Sequence, residues 1–70
     1  MSINRRLGTD RDFEEVVQKQ QSIRVFQNDH IVDNKTVVIR FDEQLVVTQS
    51  DYGDVTYHNR NECEFFVLRR

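Results

Sequence analysis

The 70-residue chain has no proline, no tryptophan, two glycines and a single cysteine. Each shortage excludes something. One cysteine forms no intramolecular disulfide, and a lone thiol fits a reducing compartment better than a secreted scaffold. The two glycines, Gly8 and Gly53, lie far apart, so neither a phosphate-binding loop nor a dinucleotide fingerprint is present. Without proline, no edge strand is blunted by that device. No apolar run approaches the ~20 residues of a membrane span, and the opening MSINRRLGTDRDF holds no apolar stretch of the kind an export signal carries. The expectation is a soluble, cytoplasmic protein. An excess of either sign of charge is also lacking: the net value of −2 names no partner, and the basic stripe of a nucleic-acid binder is missing.

The length implies one domain, residues 1–70, with 1–9 a candidate frayed end. So short a chain buries only about 60% of the surface it exposes when unfolded. With no disulfide to help, a metal, oligomerisation or plain low stability are the remaining options.

The richest stretch is Lys35 to Gln49: KTVVIRF, a polar break DEQ, then LVVTQ. β-Branched runs on either side of a short polar break read as a hairpin in the middle of a sheet. Upstream, Thr9 or Asp10 suits a helix N-cap. Asp12, Glu14 and Glu15 follow where negative charge is favoured, and Phe13, Val16, Val17 and Gln20 share one helical face. The spacing predicts a helix from about Asp10 to Gln21. Ile23 to Gln27 reads as the first strand. From Asn28 to Asn34 two readings stand. Either the strand ends at Asn28-Asp29 and a loop follows, or it runs on through His30, Ile31 and Val32 and turns at Asp33-Asn34; the second is preferred because it leaves no long loop.

In the central hairpin, a three-residue turn Asp42-Glu43-Gln44 would set Phe41 opposite Leu45 and Ile39 opposite Val47, and a two-residue turn would exchange the partners. Ser50 to Asp54 is a clear turn, Val55 to His58 a fourth strand, Asn59-Arg60-Asn61 another turn and Cys63 to Arg69 a fifth strand. The reading is α+β: an N-terminal helix packed on a strongly twisted antiparallel sheet of four or five strands, a meander or a small barrel.

Alternation assigns the faces. Val37, Ile39, Phe41, Leu45, Val47, Val55, Tyr57, Cys63, Phe65 and Val67 fit one face, leaving Phe26, Val38, Val46, Phe66 and Leu68 for the other. One short helix covers only one of them. The second set therefore forms an apolar patch larger than a monomer surface normally carries, and a homo-oligomer, most simply a dimer, is expected to pack through it.

The residues that carry chemistry elsewhere are sparse. His30, His58, Cys63 and nearby aspartates are metal-ligand types without any ligand spacing. Cys63, His58 and Asp54 have the residue types of a thiol mechanism, but alternation turns Cys63 inward. No enzyme activity, metal or cofactor is expected.

The reading is a non-enzymatic protein-binding module, a regulatory or inhibitory factor or an assembly subunit. It acts through Phe26, Val38, Val46, Phe66 and Leu68 together with the acidic turns Asp42-Glu43 and Asp51-Tyr52-Gly53-Asp54, which suit a basic partner. The alternative is a small β domain that binds single-stranded nucleic acid by stacking on Phe26, Tyr52, Tyr57 and Phe66, with Arg24, Arg40, Arg60, Arg69 and Arg70 on phosphates.

Overall fold

In a computed structural model that describes residues 5–68, the elements run in the order β1 (Arg5–Arg6), α1 (Asp10–Lys19), β2 (Ser22–Gln27), β3 (His30–Phe41), β4 (Leu45–Gln49), β5 (Val55–Asn59) and β6 (Glu64–Val67). The helix begins where its sequence says it should. Thr9 is the N-cap: its hydroxyl accepts the Asp12 N–H at 3.2 Å, while the Asp12 carboxylate accepts the N–H groups of Gly8 and Thr9. This reciprocal box satisfies amides that the first helical turn leaves unpaired. The helix stops at Lys19, two residues before the expected end. Gln20 turns left-handed (φ 51°), and the Gln21 N–H returns to the Val16 carbonyl at 3.1 Å. No glycine marks that stop, so its position was not legible in the sequence.

The first hairpin turns at Asn28-Asp29. Both residues are left-handed (φ 53° and 64°), as a two-residue turn between twisted strands requires. The strand does not turn at Asp33-Asn34; those residues lie inside the 12-residue β3. Turn-prone residues were accommodated there by irregular pairing. The β2–β3 register shifts twice between Ile23 and Phe26, and the β3–β4 register shifts once between Val38 and Arg40, each time with the extra residue in β3. Such bulges bend a strand and raise its twist, so β3 coils around the core. The central hairpin then closes with Phe41 opposite Val46 and with Asp42 N–H on Leu45 C=O at 2.9 Å. This leaves Glu43-Gln44 as the two-residue turn. The Asp42 carboxylate braces it by accepting the N–H groups of Gln44 and Leu45, both at 2.7 Å.

Strands β2 to β5 form the expected meander, but the last strand leaves it. The sheet order is β1-β6-β2-β3-β4-β5, and every pairing is antiparallel. Only a tight turn joins β5 to β6, with the N–H groups of Glu62 and Cys63 both on the Asn59 carbonyl. In a flat sheet those two strands would stand about four strand spacings, roughly 19 Å, apart. The short connection therefore requires the sheet to roll up, which the bulges of β3 allow. No ladder joins β5 to β6, so the sheet stays open rather than closing into a barrel.

The concave side holds the core. Phe13 and Val16 of α1 pack with Leu7, Ile23, Val25, Val38, Val46, Cys63, Phe65 and Val67, with Val17 and Phe41 at its margin. Phe13 is the centre: its ring lies 5.4 Å from those of both Phe41 and Phe65. Fully burying an aromatic or branched side chain contributes about 1.5–3 kcal/mol, so this one helical stripe is a large part of what holds the fold.

Arg60 fastens the rim. Its guanidinium sits 4.7 Å over the Phe13 ring, donates to the Asp42 carbonyl at 2.8 Å and pairs with Asp10 at 2.7 Å. It thereby ties the helix N-terminus to the central hairpin.

Candidate functional site

The face assignment holds for β6 and inverts for the central hairpin. Phe65 and Val67 pair with Val25 and Ile23 and point to the core, leaving Phe66 and Phe26 on the convex side, as expected. Val38 and Val46, expected on the docking face, are instead 3% and 0% exposed beneath the helix. The reason is register. The bulge at Ile39 shifts the phase within β3, and the two-residue turn sets Val46, not Leu45, opposite Phe41. The convex side of the hairpin consequently carries the other parity: Ile39, Leu45, Val55 and Tyr57, exposed by 42%, 37%, 47% and 60%. Val47 lies at the centre of this patch, buried between its ladder partners Arg40 and Tyr57. The sheet is apolar on both faces, and one helix covers one of them; in the central hairpin the residues left uncovered differ from those expected.

Both acidic turns border this patch. Asp42-Glu43 precedes β4 and Asp51 to Asp54 follows it, so carboxylates stand at both ends of a strand about 17 Å long. The Asp42 carboxyl is held below its usual range, first by the Gln44 N–H and then by the Leu45 N–H. It therefore presents full negative charge at neutral pH. In the second turn the Ser50 hydroxyl accepts the N–H groups of Tyr52 and Asp54, and Gly53 takes the left-handed conformation (φ 91°) that closes it. Tyr52 is thrust outward, 92% exposed, at the tip of this turn.

Phe26 and Phe66 lie further along the convex side, half-buried and edge-to-face at 5.5 Å. Asp29 and Glu64 join them around a concavity of about 310 Å³. Leu68 follows, half-buried, with its N–H on the Ser22 carbonyl at 2.9 Å. Arg69 and Arg70 lie outside the described residues. Several other basic groups are engaged at home: Arg5 with Glu15 at 3.0 Å, Arg6 with Glu64 at 3.6 Å, Arg24 on the Asn34 carbonyl at 3.3 Å, and Arg60 as above; Arg40 lies on β3 opposite Val47.

The residue types of a thiol mechanism are not brought together. The ring of His58 meets Asp33 at 3.2 Å, Thr48 at 3.1 Å and the edge of Phe65, with both polar contacts on Nε2. An ionised carboxylate only accepts, so Nε2 carries a proton towards Asp33, and the Thr48 hydroxyl donates to the same oxygen at 3.2 Å. The result is a closed polar knot on the core side of β3, β4 and β5, and sequence spacing gave no sign of it, because the coil of β3 is what delivers Asp33. Cys63 is buried, and its thiol is pushed up first by burial and then by the charge of Glu62, which suits a packing residue and not a nucleophile. Among the described residues no group of three His, Cys, Asp or Glu is placed to hold a metal ion, and no helix is long and apolar enough to cross a membrane. Comparison with protein-family models, curated proteins and solved structures finds no match for this chain.

Proposed function

We propose that the protein is a non-enzymatic binding module that docks another protein on the convex face of its central hairpin. The observation that carries this reading is the uncovered patch Ile39, Leu45, Val55 and Tyr57, lying between two hydrogen-bonded acidic turns. An apolar centre with a polar rim is the usual anatomy of a protein interface. The carboxylates of Asp42, Glu43, Asp51 and Asp54 favour a partner with a basic rim and speed its approach at low salt. Phe26, Phe66 and Leu68 extend the apolar surface, and Tyr52 adds an exposed aromatic ring at the edge of the patch.

The single-strand-binding alternative draws less support. The Phe26 and Phe66 rings are engaged edge-to-face with each other, and the concavity beside them is flanked by Asp29 and Glu64, which repel phosphate. Of the arginines that alternative would use, Arg24 is held by the Asn34 carbonyl and Arg60 by the Asp42 carbonyl and Asp10.

The test is affinity capture from the native host with three baits: the unaltered chain, Leu45→Asp with Ile39→Asp, and Arg24→Ala as a control. A partner recovered by the first and third baits, lost with the second and weakened by salt, supports the reading. Recovery that ignores the two Asp substitutions counts against it. So do salt-sensitive shifts of the Phe26 and Phe66 signals on adding single-stranded RNA.

A further inference from the structure

The two edges of the sheet are treated differently. The β1 edge is two residues long, and both are arginines paired with Glu15 and Glu64. Short length and charge are the usual ways of keeping an edge from recruiting another strand. The β5 edge has neither. It is five residues, Val-Thr-Tyr-His-Asn, with no acidic residue, lysine, arginine or proline, and its register with β4 is unbroken. Thr56 is exposed although its side chain points to the concave side, because no further strand covers it.

The phase of this edge follows from the bonds that flank it. Ser50 N–H donates to the Asp54 carbonyl, and Arg60 N–H donates to the Gln44 carbonyl. Even-numbered residues of this ladder therefore direct their backbone groups at β4. Val55, Tyr57 and Asn59 direct theirs away from it. The Asn59 carbonyl is taken by the turn that follows, through the N–H groups of Glu62 and Cys63. Among the described residues, the N–H and C=O of Val55 and Tyr57, with the N–H of Asn59, find no partner.

We propose that β5 pairs antiparallel with β5 of a second copy of this chain about a two-fold axis at Tyr57. This goes beyond the docking reading above, since it concerns the sheet edge and stands if no other protein binds. Self-pairing fits for three reasons. The free groups are self-complementary: Tyr57 meets Tyr57 of the second copy through both N–H and C=O, and each Asn59 N–H meets a Val55 carbonyl. No like charges are set opposite each other within the paired strands. The two Tyr57 rings and the flanking Val55 side chains lie on the convex face, so the pairing also covers part of the exposed apolar surface there.

Sedimentation of the full chain from about 10 μM to about 1 mM, a range that captures even weak association, is combined with amide hydrogen exchange at the same concentrations. The expected result is a mass that rises to two chains. Protection at the Tyr57 and Asn59 amides should rise with it, while Thr56 and His58, already bonded to β4, stay constant. N-methylation of the Tyr57 amide in a synthetic chain removes one outward donor without touching the β4 ladder, and should lower the dimer affinity at least tenfold with the His58 amide still protected. A one-chain mass throughout overturns the proposal, and so does a dimer whose Tyr57 amide exchanges as freely as in the monomer. Ile39→Asp with Leu45→Asp changes side chains on β3 and β4 and none of the outward backbone groups of β5, so it leaves the self-association in place, which separates this result from failure of the docking reading.

Discussion

Replacing Arg60 tests how the helix is held to the hairpin. The side chain is only 14% exposed and combines three interactions. A charged hydrogen bond to a carbonyl is worth about 1.5–3 kcal/mol, a partly desolvated cation over an aromatic ring about 1–2 kcal/mol, and a pair with an exposed carboxylate under about 1 kcal/mol. Asp10 is 67% exposed, so the third contribution is the smallest. The contributions share one guanidinium and do not add fully; we expect Arg60→Ala to cost about 3 kcal/mol. A domain of this size has roughly 4–10 kcal/mol in all, so the midpoint in urea should fall by about a third or more. Arg60→Lys should recover less than half of the loss, because an ammonium cannot donate to Asp42, reach Asp10 and lie flat over Phe13 together. Arg60→Met restores the stem alone and separates packing from charge. Urea titrations followed by far-ultraviolet circular dichroism measure all three. A loss below about 0.5 kcal/mol for Arg60→Ala, the size of an ordinary surface change, would show that Arg60 merely lies along the rim and that Phe13 alone docks the helix.

Two further outcomes follow from the titrating groups. The carboxyls of Asp12 and Asp42 are held below the usual value of 3.8, first by the N–H of Gly8 and of Gln44 respectively. Their contribution to stability is complete above the unfolded value and is lost as pH falls through the lowered folded values. Asp12→Asn with Asp42→Asn should flatten the acid side of the stability curve below about pH 4, and an unchanged slope there would refute the assignment. The Cys63 thiol, raised by burial, should resist a disulfide reagent at pH 8 in the folded protein and react at once in denaturant. Reaction in the folded state at the rate of a small free thiol would show that the core opens at that strand.

Much of the fold was legible because it rests on local chemistry. The capping pattern at Thr9 and Asp12, the stripe Phe13, Val16 and Val17, and the β-branched runs with polar breaks each act over a few residues, where side chain and backbone settle the matter. Those runs also contain more apolar residues than one sheet face can hold, so an uncovered apolar surface was readable in advance. Which residues of the central hairpin form it was not. Alternation specifies parity within a strand, but a bulge reverses parity midway, and the bulges of β3 arise from pairing with β2 and β4. That long-range register buried Val38 and Val46, exposed Ile39 and Leu45, and coiled Asp33 onto Thr48 and His58. The placement of β6 beside β2 is likewise a tertiary result: Phe65 and Val67 reach Phe13 and its neighbours only from there, and that move leaves β5 as a bare edge.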